Sequence, residues 1–122
     1  MSHNHHNAKQ HKLRNSKKHI LASLVRALLL HESIQTTIKR AQALRMVVEP
    51  LITLGKKAHA EPERALALRR QLFSVLKDKA LVTKVFTEIA PRYLATPGGY
   101  TRINRTHIRS SDATTIVQIQ FS

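Results

Sequence analysis

The residues Pro97-Gly98-Gly99 separate two incompatible hydrophobic rhythms in this chain. Upstream, from residue 38 onward, apolar side chains recur at helical spacing. Downstream they alternate, as strands require. A chain that carries both must lay helices against a sheet, so the expected class is α+β, with helices packed on one face of a small mixed sheet. A proline followed by two glycines permits a turn with positive φ, and the aromatic and β-branched residues that follow suit a strand over residues 100–106. On that strand Thr101, Ile103 and Arg105 share one side, while Tyr100, Arg102 and Asn104 share the other. With Ile103 facing the core, Tyr100, Arg102 and Asn104 offer an aromatic ring, a guanidinium and an amide to a polar, anionic partner. The plainer reading is an edge strand with solvated arginines.

A second strand follows over residues 114–121, where Val117, Ile119 and Phe121 alternate with Ile116, Gln118 and Gln120. The two strands are close enough in sequence to pair as an antiparallel hairpin across residues 109–113. Before the glycines, Ser16 suits the cap of a helix reaching about His31, with Leu21, Leu24, Val25 and Leu28 on its buried face and Ile20, Leu29 and Leu30 widening it. Residues 34–37 read as a short strand. Thr37 then caps a helix over residues 38–57 with Ala41, Leu44, Val48 and Leu51 in one stripe; Pro50 should bend or divide it, and Gly55 should weaken its end. Glu61-Pro62-Glu63 opens a third helix with Leu68, Leu72, Val75 and Leu76 inward, as far as a break at Lys77-Asp78-Lys79. In a fourth, Leu81, Val82, Val85, Phe86 and Ile89 face the core, and Pro91 sets its end near Ala90.

The 122 residues suit one domain, residues 16–122, preceded by a basic extended arm, residues 1–15. Twenty-one Lys and Arg against seven Asp and Glu give a formal charge of +14, a self-repulsion most readily relieved by a polyanion. A hydrophobic fraction of 42% supports a folded core, and only 4% aromatic content makes that core aliphatic. Up to His19 the chain holds no acid, and Lys9, Lys12, Arg14, Lys17 and Lys18 suit phosphate neutralisation. His3, His5, His6 and His11 lack the partner ligands of a structural zinc site, so no metal is expected there. Absence of cysteine removes disulfides and thiolate chemistry. The apolar run of residues 20–30 is interrupted by Ser23 and Arg26 and is too short to cross a bilayer, and no secretory signal is expected.

Catalysis finds little support. The acids Glu32, Glu49, Glu61, Glu63, Asp78, Glu88 and Asp112 mostly sit beside helical cations, where pairing along the helix or the helix dipole accounts for them. There is no phosphate-binding glycine loop and no nucleophile motif. No enzyme activity, cofactor or small-molecule ligand is expected. Binding to structured RNA accounts for more of the sequence, with Lys39 and Arg40 on the second helix, and Arg92, Tyr100, Arg102, Arg105 and Arg109 around the hairpin, joining the arm as candidate contacts. A DNA-binding or other free nucleic-acid-binding module is the alternative, without a helix-turn-helix to carry it.

Three segments resemble a known family. His31-Glu32 with Thr36-Thr37, Val48-Glu49-Pro50-Leu51-Ile52, and Pro91-Arg92-Tyr93 followed by Gly98-Gly99-Tyr100-Thr101-Arg102 are similar, in the same order, to the bacterial-type large-subunit ribosomal protein of the seventeenth family. The resemblance covers roughly residues 16–121. It implies a two-layer domain that binds large-subunit rRNA near the outer end of the exit tunnel, beside other large-subunit proteins, as a structural constituent of the ribosome. The ends depart from the family pattern. Residues 11–18 are compressed and histidine-rich, Ile38 stands where many relatives have proline, and Arg109-Ser110-Ser111-Asp112 lacks the usual glycine. This drift favours a mitochondrial member over a bacterial one.

Overall fold

The computed structural model describes residues 18–122; the arm expected over residues 1–15 and the Ser16 cap lie outside them. Helix α1 runs through residues 18–31 and leads into β1 (Ser33–Thr37) and the long helix α2 (Ile38–Ala60). A 3-10 turn (Pro62–Arg64) opens α3 (Ala65–Leu76). Next come α4 (Lys79–Lys84), a π-turn (Val85–Ile89), a 3-10 turn (Ala90–Tyr93), and the strands β2 (Thr101–Ile108) and β3 (Thr115–Phe121). The α+β class and the terminal hairpin are as expected. The sheet is antiparallel throughout rather than mixed, in the order β1-β3-β2. The chain's last strand therefore inserts between two earlier ones, and Val117 and Ile119 of this central strand are fully buried.

Helix α2 forms because Thr37 caps it, accepting a hydrogen bond from the Arg40 amide at 3.4 Å, and because Ala41, Leu44, Val48, Leu51, Ile52, Gly55 and Ala58 maintain a buried stripe along its length. Pro50 neither ends nor divides it. The proline lies on the exposed side, where the carbonyl left without a donor is open to water. Gly55 is not a weak end but a point of close approach, since a Cβ there would come within 2.8 Å of the Ala90 Cβ and 3.3 Å of Val85 Cγ1. The partner surface is the π-turn and the 3-10 turn after it, which together carry the fourth helical segment past Ala90 to Tyr93.

The break between α3 and α4 is as read: Lys77 adopts φ +53, and Asp78 caps α4 through the amides of Ala80 and Leu81 at 2.9 and 3.3 Å. Some expected core residues lie outside it. Val75, Ile20 and Leu30 are exposed, because each sits at the margin of its apolar stripe, and Phe86 is half-buried outside the core cluster, flanked by His59 and Arg69.

Candidate nucleic-acid interface

Helix α2 positions the hairpin through three side chains that share one helical stripe, at residues 45, 49 and 56. The Glu49 carboxylate accepts from the Tyr100 amide at 3.1 Å, from the Thr101 amide at 3.2 Å and from the Thr101 hydroxyl at 2.9 Å. Arg45 donates to the Thr101 hydroxyl at 3.2 Å and its carbonyl at 3.4 Å. Lys56 donates to the Thr96 carbonyl and to the Tyr100 hydroxyl. Both ends of the Pro-Gly-Gly turn are thus tied to one rigid rod, and Gly99 supplies the positive φ of +71 that the turn needs.

Tyr100 corrects the expected face assignment. It lies before the first ladder residue of β2 and is 2% exposed, with its ring 5.2 Å from that of Tyr93. The Lys56 ammonium, hydrogen-bonded to its hydroxyl, lowers the phenol's pKa, whereas burial raises that of Tyr93. Tyr100 is therefore a core residue that orients the strand. Sequence reading missed Arg45, Glu49 and Lys56 in this role, although their shared stripe, opposite in character to the apolar one, is the signal that would have found them.

From Thr101 the alternation holds. Thr101 is buried and Ile103 half-buried opposite Ile119, while Arg102 and Asn104 are exposed on the open face opposite Gln120 and Gln118. Every residue from Asn104 to Ile108 is exposed, so this end of the strand projects past the helical cover. Arg105, which shares the Ile103 side, reaches solvent for that reason. A bulge between Arg105 and His107 shifts the register there, with the Thr106 hydroxyl donating to the Ile116 carbonyl at 3.0 Å.

At the same end, Lys39, Arg40 and Arg109 line a groove of about 590 Å3 with Thr37, Ile38, Thr114 and Thr115. The first turn of α2 carries no acid, so its amide end reinforces the positive field. Lys39 and Arg40 also line a groove against Ile20 and Leu21 of α1. Arg109 holds the hairpin turn in a two-pronged pair with Asp112, at 3.1 and 2.7 Å. Its guanidinium keeps the Asp112 carboxyl below the usual carboxylate range.

Arg92 does not join this group. It pairs with Glu32, which Lys84 also approaches at 3.6 Å, and the Glu32 carbonyl accepts from the Phe121 amide. This places Arg92 at the far end of β3, about 20 Å from the Thr115 end at strand rise. Arg92 holds the Glu32 carboxyl below its ordinary pKa, and Glu32 raises that of Arg92. Lys18 is exposed on the first described turn of α1; Lys9, Lys12, Arg14 and Lys17 lie outside the described residues. Glu32 and Glu49 thus make long-range contacts rather than the pairs along a helix expected of them. Among the described residues, Lys39, Arg40, Arg102 and Arg105 have no carboxylate partner, which leaves their charge directed at solvent or at a polyanion. The family model described as Ribosomal protein L17 matches residues 20–122 of the chain.

Proposed function

The chain belongs to the ribosomal protein L17 family, and on that premise we propose that it is a structural, non-enzymatic constituent of the large ribosomal subunit that binds large-subunit rRNA through the hairpin end of its domain, near the exit-tunnel side and beside neighbouring large-subunit proteins. The observation that carries the RNA reading is the projecting half of β2, exposed on both faces, beside a groove lined by Lys39, Arg40 and Arg109. Cations on a rigid ribbon suit backbone and shape recognition of folded RNA, in which phosphate contacts set position. Arg102 and Arg105 project to opposite sides of the ribbon and contact separate backbone segments, while Lys39, Arg40 and Arg109 take one phosphate run along the groove. Lys9, Lys12, Arg14, Lys17 and Lys18 extend the contact from the N-terminal side. Tyr100 and Arg92 serve this surface indirectly, the first by setting the strand and the second by locking the opposite end of the sheet. The drift at the chain's ends favours a mitochondrial ribosome over a bacterial one.

Sedimentation tests the reading. The tagged chain should travel with large subunits at moderate salt and be released as salt rises, because each phosphate neutralised contributes roughly 0.7–0.9 to the logarithmic salt slope. Recovery in light fractions alone, with crosslinks scattered over many RNAs, would instead identify a free nucleic-acid-binding module.

A further inference from the structure

Helices α3 and α4 carry a second cationic surface built from residues that the hairpin end does not use. Arg69, Arg70, Phe73, Lys79, Val82 and Thr83 line a groove of about 320 Å3, at the small end of the roughly 300–1,000 Å3 typical of ligand sites. Its floor is apolar and its rim basic. Phe73 is 42% exposed there, and no carboxylate lines the groove.

Arg69 is the organised member of this rim. Its guanidinium packs over the Phe86 ring, 4.5 Å from the centroid. That ring also stacks with His59 at 4.8 Å, and the His59 ring nitrogen Nε2 lies 2.6 Å from the Phe86 carbonyl. The stack holds Arg69 in place. Among the described residues Arg69 has no carboxylate partner, and its Nε is the one buried side-chain polar atom left without a hydrogen-bond partner. An arginine held by a ring and given no carboxylate among the described residues keeps its charge available to an incoming anion.

We propose that this groove holds one unstacked RNA nucleotide, its base against the exposed face of Phe73 and its phosphate among Arg69, Arg70 and Lys79. The inference rests on the RNA-binding reading above but on a different surface. A nucleotide supplies a flat apolar face and an anion within one small unit, which matches an aromatic floor under a basic rim. An acidic peptide satisfies the cations but brings no flat group for the floor, and the groove is too small for a helix.

Crosslinking at 254 nm in cells expressing the full chain, followed by mass spectrometry of nucleotide-bearing peptides, tests the assignment. The expected result is a nucleotide adduct on the peptide containing Phe73. In parallel, fluorescence anisotropy with a ten-nucleotide single-stranded RNA should show Phe73→Leu, which keeps an apolar side chain, and Arg70→Ala each weakening binding by about 5- to 100-fold, the range for loss of one stacked base, with the thermal transition of Phe73→Leu unchanged. No adduct there together with unchanged affinity for both variants would overturn the proposal, as would crosslinks from this groove to an acidic protein segment alone. The RNA recovered decides the other question: a Phe73 adduct on RNA other than large-subunit rRNA upholds the nucleotide site and sinks the ribosomal reading. Large-subunit association without the adduct or the affinity loss does the reverse.

Discussion

Removing the Glu49 carboxylate is the sharpest test of how the hairpin is held. In Glu49→Ala the amides of Tyr100 and Thr101 and the Thr101 hydroxyl lose their shared acceptor. Hydrogen bonds to a charged group contribute about 1.5–3 kcal/mol each, and an orphaned buried donor costs about 1–3 kcal/mol. The three bonds share one carboxylate and Glu49 is only half-buried, so water replaces part of the loss and the terms do not sum. The expected cost is about 2–4 kcal/mol of folding stability. Glu49→Gln retains one oxygen acceptor and should lose about 1–2 kcal/mol. Because a domain of this size shifts its Tm by roughly 4–8 °C per kcal/mol, the alanine variant should melt about 10–25 °C lower. Thermal and urea unfolding of the full chain read both losses, and hydrogen exchange should show faster opening at the Tyr100 and Thr101 amides in Glu49→Ala. Two results would refute the reasoning. If Glu49→Ala stays within about 0.5 kcal/mol of the parent, as ordinary surface changes do, the contact does not anchor the strand. If Gln is as damaging as Ala, the charge beside Arg45 matters and the acceptor geometry does not.

The other predictions follow from the same structure. Arg102→Ala should leave stability within about 0.5 kcal/mol while reducing the salt slope of rRNA binding by about 1; Ile103→Ala, half-buried opposite Ile119, should cost about 1–2 kcal/mol of stability, below the range of about 2–5 for fully buried sites. A reversal of these two effects, measured by urea unfolding and filter binding, would invert the strand's face assignment. Gly55→Ala should destabilise by about 1–3 kcal/mol, since overpacking against Ala90 outweighs the roughly 1 kcal/mol gained in helix propensity; a stabilised variant would show that the two helical segments separate easily. Glu32 has a folded pKa held below its ordinary 4.5 by Arg92, so its stabilisation is complete above about that pH and is lost as pH falls through the lower folded value. Glu32→Gln should therefore flatten the acid side of a stability-against-pH curve and leave no such increment to lose. Deleting residues 1–15 should lower rRNA affinity and its salt dependence without changing the Tm; a large drop in Tm would place the arm in the fold.

Much of the architecture was legible because it rests on local patterns. The Thr37 cap, the Lys77-Asp78 break and the stripes of α2 and β3 depend on residues within a few positions of one another, and there the chain's own periodicity leaves little choice. The family resemblance, carried by three short segments in order, was legible for the same reason. The site was legible as chemistry and only partly as geometry. Arg102 and Asn104 lie on the open face as alternation requires, yet Tyr100 falls outside the ladder, and alternation extended to a residue before the strand turns its ring outward. Arg92 and Arg109, both read as hairpin cations, sit at opposite ends of β3.

By itself the sequence determined that helices meet an antiparallel hairpin, that the core is aliphatic and that the chain carries a large excess of positive charge, because periodicity and composition act wherever the chain goes. Only the tertiary structure decided which groups meet across long separations. It set β3 between β1 and β2, brought Glu49 to the amides of Tyr100 and Thr101, seated Gly55 against Ala90, and gave Arg92 a carboxylate while leaving Arg102 and Arg105 without one. Such pairings depend on how elements cross. The crossing is settled by close packing of the whole core, to which each residue contributes a little and which no short window of sequence contains.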